Sequence, residues 1–233
     1  MEINKFVINL KRRPDRLEKF TKSCPYKNVE TVYGFDAKNP LHESIEEQEM
    51  YNILKTKKLT SGECGVWISH LRIWENIVKK GLEYAIIFED DAVFNPIFLE
   101  IMNNINMNTS VSNYNNIPKE SIIYIGGRFH ENFIMPLQYT ISYNKYICQS
   151  NFLNFNGVLH DRTLHAYIIS SNIAKILIEH FKNKLNTNSC KIIDPVDHFV
   201  IRTLRLLDLP IYNTIPLLCH CPMISDSDIR DKK

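Results

Sequence analysis

The residues best suited to chemistry in this 233-residue chain are Glu89, Asp90 and Asp91, three acids that follow directly on the apolar run Tyr84 to Phe88 (YAIIF). A run of that kind is what a strand covered on both faces requires. Ligands of open α/β sheets collect at the carboxyl ends of such strands. Adjacent carboxylates repel one another, so the trio is tolerable where a cation or solvent screens it. Hard oxygen donors at this spacing suit Mg²⁺ or Mn²⁺, either of which can bridge to a diphosphate. The structural alternative is that the acids solvate a strand end and favour the dipole of the next helix.

The elements that must position these acids can be read from apolar periodicity. Lys5 to Leu10 and Val29 to Tyr33 read as strands, separated by a helix that opens at Pro14. Leu41 to Lys57 is helical in pattern but highly charged, which predicts a surface flap that moves. Thr60-Ser61-Gly62-Glu63 has the form of a capping box. Beyond it, Trp67, Leu71, Trp74 and Val78 form one apolar stripe of a helix that hands over near Gly81. After the acids, Asn95 and Pro96 predict an N-cap and first turn for IFLEIM. Asn103 to Asn116 reads as a loop and Ser121 to Ile125 as a strand. Arg128 to Asn156 reads as irregular strands and loops near a site. His165 to Ile169 is a further strand, and Ser170 or Ser171 caps a helix from Ile173 to about Lys184. Pro195 opens a last helix, and Ile211 to Leu218 supplies a closing strand. Alternation of this kind predicts an α/β fold with a mostly parallel central sheet, a single domain over 1–233 with a polar tail from about 222.

Composition narrows the possible partners. Lys and Arg number 28 and Asp and Glu 26, a net charge of +2 that steers the chain toward neither nucleic acid nor an anionic membrane. The seven glycines (Gly34, Gly62, Gly65, Gly81, Gly126, Gly127 and Gly157) form no GxxxxGK[ST] or GxGxxG loop. Phosphates would therefore need another counter-charge, and a metal held by carboxylates is the main candidate. MEINKFVINLKRR lacks the apolar core of a secretory signal, and no run of about 18 apolar residues offers a membrane span. The expectation is a cytoplasmic protein whose six dispersed cysteines are mostly free, buried thiols.

Six ordered segments, INLKRRPDR (Ile8 to Arg16), GFDAK (Gly34 to Lys38), LTSGECGVWISHLRIW (Leu59 to Trp74), IIFEDDAVF (Ile86 to Phe94), HAYIISSNIA (His165 to Ala174) and SDSDIR (Ser225 to Arg230), resemble glycosyltransferase family 25. That family includes lipopolysaccharide-type sugar transferases and collagen galactosyltransferases. The resemblance implies a GT-A-like nucleotide-binding sandwich, a DxD-like acid motif, a divalent metal (Mn²⁺ or Mg²⁺), a UDP-sugar donor and inversion at the anomeric carbon. It implies transfer of a hexose to a hydroxyl of a glycan, lipid-linked sugar or hydroxylysine.

Carried onto this sequence, the resemblance makes Asp91 the principal metal contact. Glu89 would face the ribose, and Asp90 would lie with it at the donor. Asn9, Arg12, Arg13 and Arg16 would meet the nucleotide, since guanidinium groups grip phosphate or stack on a base; a solvated basic turn is the plain alternative. Asp36 would bind uracil or ribose hydroxyls, or simply make an Asx turn. Ser61 and Gly62, opening the central helix, would lie beside the donor. Glu63 reads as the cap partner and His70 as a hydrogen-bonded core histidine. Inverting transfer needs a general base; among Asp161, Asp194 and Asp197, the last matches the family. Asp197 also suits a helix start on dipole grounds alone. His220 would complete the metal shell. Zinc binding by Cys219-His220-Cys221 is disfavoured, because consecutive extended residues point alternately and no second ligand pair has finger spacing. Asp226 and Asp228 would close over the donor. The competing classes are a metal-dependent phosphohydrolase or nucleotidyltransferase and a non-catalytic interaction protein.

Overall fold

Apolar side chains alternate along the strands of this protein, and the alternation sorts them into two cores, one on each face of a central sheet. The computed structural model describes residues 3–105, 120–127, 140–142, 147–150, 163–186, 192–214 and 216–221. Along the chain these form β1 (Asn4–Asn9), α1 (Pro14–Ser23), β2 (Glu30–Tyr33), a single 3-10 turn (Pro40–His42), α2 (Ile45–Thr56), α3 (Ser61–Lys79), β3 (Tyr84–Glu89) and β4 (Val93–Phe94). There follow α4 (Phe98–Asn104), β5 (Ile122–Tyr124), β6 (Gly126–Gly127), β7 (Thr140–Ser142), β8 (Ile147–Ser150), β9 (Ala166–Ser170), α5 (Ser171–Asn186), α6 (Val196–Leu206), β10 (Ile211–Thr214) and β11 (Cys219–His220).

The main sheet has the order β2-β1-β3-β9-β5-β10-β8-β7, and β4-β11-β6 form a small second sheet. It is α/β, as the sequence predicts, but mixed rather than mostly parallel. β1 runs parallel to β2 and β3, and β5 to β10. β9 is antiparallel to both its neighbours, β3 and β5, and β8 is antiparallel to β10 and β7. A continuous apolar run such as HAYII reports burial on both faces and not direction.

Ala85, Ile87, Ile122, Tyr124, Tyr167 and Ile169 face the core under α3, α5 and α6. Their alternates Ile86, Phe88, Ile123, Ile125, Ala166 and Ile168 face the core that holds Phe20 of α1 and Phe98 of α4. α3 is the principal support of the first face. Its capping box is formed: Thr60 Oγ1 accepts from the Glu63 N–H at 3.2 Å, and Glu63 Oε2 accepts from the Thr60 N–H at 2.8 Å. The predicted stripe is buried at Trp67, Leu71 and Trp74, with Val78 packed beside the core. Trp67 stacks on Phe181 with centroids 4.2 Å apart, and full burial of each such side chain stabilises by about 1.5–3 kcal/mol. Gly81 takes φ of 64°, the left-handed conformation that ends a helix readily.

Two expectations change. The charged 41–57 segment is docked rather than loose: Leu54 is fully buried, Tyr51 stacks on Phe35, and Arg72 of α3 binds Glu43 at 3.1 Å and Glu47 at 2.5 Å. α4 opens at Phe98, because Asn95 Oδ1 accepts from the Ile97 N–H in an Asx turn instead of capping a helix at Pro96. The predicted loop Asn103 to Asn116 begins inside α4, which runs to Asn104; its residues 106–116, most of 128–156 and the tail with Asp226 and Asp228 lie outside the described residues. The four described cysteines carry no disulfide; Cys64 and Cys219 are buried, whereas Cys24 and Cys221 are half-buried. Burial pushes the Cys64 thiol up to about 11.

Candidate active site at the carboxyl edge of the sheet

Strand direction decides which side chains meet. β1, β2, β3 and β5 point the same way, so their carboxyl ends share one edge, and β9, running against them, begins at that edge. α1 leaves β1 over one face, and α3 returns to β3 over the other, which makes the β1–β3 junction a topological switch point. Asn9 ends β1 there and Glu89 ends β3, with Ile8 in register with Glu89.

The three acids part company according to strand phase. Glu89, on the α3 side, lies 3.5 Å from His70 Nε2 and 3.7 Å from His165 Nε2. Burial alone would raise its pKa, but His165, His70 and Arg16 outweigh that and hold the carboxyl below its ordinary range. Asp90 turns the other way: Oδ2 accepts from Asn9 Nδ2 at 2.7 Å, and Oδ1 meets Arg16 Nη2 at 2.5 Å. Burial, with the neighbouring charges of Asp91 and Glu89, lifts Asp90 to about 7 against the pull of Arg16 and Asn9. Asp91 meets the same Arg16 nitrogen through Oδ2 at 3.0 Å, while its Oδ1 is buried without a hydrogen-bond partner. The screening that the sequence demands of a metal or solvent is thus supplied in part by Arg16 and the two histidines.

His70 is the buried, hydrogen-bonded core histidine expected, and its partners fix its orientation. Trp74 Nε1 donates to the Tyr167 hydroxyl at 3.0 Å, and that hydroxyl lies 2.8 Å from His70 Nδ1. Burial keeps Tyr167 protonated. The hydroxyl thereby fixes the plane of the imidazole and turns Nε2 toward Glu89. Tyr167→Phe strands the indole N–H and Nδ1 in a buried setting. The expected cost is about 1–3 kcal/mol, read as a lowered urea midpoint with an unchanged slope.

The basic and acidic residues chosen from the first two strands separate into distinct roles. Asn9 and Arg16 join the acids. Arg12 Nε instead pairs with Asp36 at 3.0 Å, and Asp36 also accepts from the Lys38 N–H and Asn39 Nδ2 in an Asx turn. Arg13 pairs with Asp15 at 3.0 Å. Gly34 lets the end of β2 approach α3, since a Cβ there would stand 2.8 Å from Ser69 Oγ, the acceptor of the Phe35 N–H.

Ser61 and Gly62 open α3, nine and eight residues before His70, hence about 12–14 Å from it along the helix axis. Ser61 Oγ is engaged by the Tyr51 hydroxyl at 3.1 Å and by Lys55 at 3.3 Å. Asp197 stands in the first turn of α6, where its Oδ1 accepts from the His198 N–H at 2.9 Å. The indole of Trp67 donates to Asp194 O, tying the approach to α6 to α3 one turn before His70. Asp194 itself is held by Arg202 at 2.5 Å, and Asp161 lies outside the described residues.

One grouping was not anticipated from the sequence. Ligand atoms of Asp91, His165 and Cys221 lie within 4.8 Å of one another. His220 is not part of that group: it pairs within β11, whose alternation buries Cys219 on one face, turns His220 to the other and returns Cys221 toward Asp91. The signal for His165 is its place at the start of a buried strand. The signal for Cys221 is the Cys219-His220-Cys221 run; its neighbourhood with Asp91 arises only when the small sheet brings β11 beside β6.

A family-wide sequence model described as glycosyltransferase family 25 (LPS biosynthesis protein) matches residues 2–200. The chain is 34% identical over 101 residues to a glycosyltransferase 25 family member of Drosophila melanogaster, and likewise to procollagen galactosyltransferase 1-B of Xenopus laevis, in each case over 40% of this chain and 16% of the relative. It is 34% identical over 102 residues to the probable inactive glycosyltransferase 25 family member 3 of Bos taurus, over 40% of this chain and 17% of that protein. The match therefore spans about a sixth of the length of these relatives. Among the described residues, no helix is long and apolar enough to cross a membrane.

Proposed function

Because the chain belongs to glycosyltransferase family 25, we propose that it transfers a hexose, galactose or glucose, from a UDP-sugar to a hydroxyl of a glycan, lipid-linked sugar or hydroxylysine, with inversion and with Mn²⁺ or Mg²⁺. The observation that carries this reading is the buried, unpartnered Oδ1 of Asp91 at the switch point, flanked by a guanidinium. A carboxyl oxygen kept from water without a partner fits a cation. The relatives named as procollagen galactosyltransferases favour galactose as the sugar.

In this reading Asp91 holds the ion and Arg16 places a second positive charge beside the diphosphate. Asn9 steadies Asp90, and His70 fixes Glu89 toward the ribose. When bound, the ion supplies Lewis-acid stabilisation of the charge that develops on the departing diphosphate. Arg12 and Asp36 offer a paired donor and acceptor at the nucleoside end, and Asp197 takes the proton of the acceptor hydroxyl. The protein acts without nucleic-acid partners.

Calorimetric titration with UDP-galactose, with and without Mn²⁺, tests the reading. Metal-dependent binding followed by slow release of UDP and free hexose is expected. Release of UMP and hexose phosphate instead would mark a phosphohydrolase or nucleotidyltransferase. Neither binding nor hydrolysis would mark a non-catalytic protein, as the relatives named inactive suggest.

A further inference from the structure

We propose that the cation site of this protein is a mixed oxygen, nitrogen and sulfur site, built from Asp91, His165 and Cys221, and that it selects a borderline ion of the zinc or cobalt type over Mg²⁺. Three distant segments make it. Asp91 follows β3. His165 precedes β9, where its carbonyl accepts from the Glu89 N–H at 2.7 Å. Cys221 follows β11 and donates its N–H to Gly127 O at 3.2 Å. Gly126 permits the convergence, since a Cβ there would stand 2.9 Å from the Ala166 Cβ and 3.1 Å from the Cys219 Cβ.

The donors are prepared for a ligand. Cys221 Sγ sits 3.5 Å from Asp91 Oδ2, and Arg16 already occupies that oxygen, which leaves Oδ1 as the buried acceptor. The Thr163 hydroxyl holds Nδ1 of His165, so Nε2 is turned to the carboxylates. A ligating histidine is usually oriented through its other nitrogen in this way. Separations within 4.8 Å are bridged by one ion with bonds of about 2.0–2.3 Å after small side-chain rotations. Three protein ligands also leave a position open for an exogenous oxygen. A thiolate and an imidazole beside a single carboxylate match zinc or cobalt, whereas Mg²⁺ demands an octahedron of oxygens. The proposal rests on the reading above in placing an ion at Asp91 and narrows its choice of ion, setting Mg²⁺ aside on the chemistry of the donors.

The test loads the EDTA-stripped 233-residue chain with Co²⁺ and records its absorption. One equivalent per chain is expected to give a thiolate-to-cobalt charge-transfer band. That band should vanish in Cys221→Ser, persist in Cys24→Ser, and be displaced by Zn²⁺ at concentrations at least about 100-fold below those needed of Mg²⁺. Zn²⁺ should also protect Cys221 of the wild-type chain from alkylation, as mapped by mass spectrometry, a readout that requires no variant to fold. Absence of the band, or its survival in a folded Cys221→Ser, would overturn the proposal. Mn²⁺-dependent UDP-galactose binding without a cobalt–thiolate band would overturn this donor set and leave the transferase reading intact; a band without UDP-sugar binding would do the reverse.

Discussion

Asp91→Asn is expected to lower cation-dependent hydrolysis of the UDP-sugar by about 10³-fold or more, while the thermal midpoint at neutral pH holds or rises. A bound Lewis acid is worth several kcal/mol to a transition state, and each 1.36 kcal/mol is a decade in rate. The amide keeps the shape of the carboxylate and removes its charge. Stability is expected to move the other way, because the charge of Asp91 is one of the causes that lift Asp90 to about 7. Neutralising Asp91 relieves that repulsion in the core of the site. The measurement pairs initial rates of UDP release with a melting curve. Retained metal-dependent turnover in the folded variant would remove Asp91 from the site.

Much of the scaffold of this site is legible before folding, because it rests on local rules. Glu63 three residues after Thr60 announces the start of α3, and YAIIF announces a doubly covered strand ending at the acids. Ser170 Oγ does accept from the Ile173 N–H, as a cap should. What periodicity cannot carry is direction. β9 is as apolar as a parallel strand, yet it runs against β3, and only for that reason does His165 reach Glu89 and Asp91. The neighbourhood of Cys221 is illegible for a similar reason, since it depends on β11 lying beside β6. The four site candidates in INLKRRPDR, Asn9, Arg12, Arg13 and Arg16, show a further limit. Helix phase separates them: α1 begins at Pro14, which turns Arg16 back onto the strand ends, while Arg13, just before the helix, is captured by Asp15. The segment 41–57 is the surface element its charge predicts, but its docking is not legible, because Arg72 of α3 gathers Glu43 and Glu47 and binds the Tyr33 carbonyl. No pattern within residues 41–57 reports that cation.

Arg16→Met should destabilise the metal-free protein by about 3 kcal/mol near pH 8, toward the lower end of the roughly 3–5 kcal/mol for breaking a buried pair. Methionine preserves most of the packing of the stem and deletes the charge shared by Asp90 and Asp91. The side chains of Arg16 and Asp90 are 14% and 8% exposed, so water can replace little of the lost partner; Asp91, at 29%, is better solvated and moderates the loss. The sign of the pH dependence follows from Asp90. Its folded value is raised to about 7, chiefly by burial, whereas an unfolded aspartate titrates near 3.9. Between those values the folded state keeps a proton that the unfolded state has released, so stability declines as pH rises through this window. Arg16 pulls the folded value down, and without it the decline extends to higher pH. The deficit of Arg16→Met should therefore be small at pH 5 and grow toward pH 8, as measured by urea unfolding in EDTA. A deficit independent of pH would mean that Arg16 acts through packing alone. Adding a divalent cation at pH 8 should restore part of the loss, because a ligand of the folded state stabilises it by mass action and supplies the positive charge that the substitution removed.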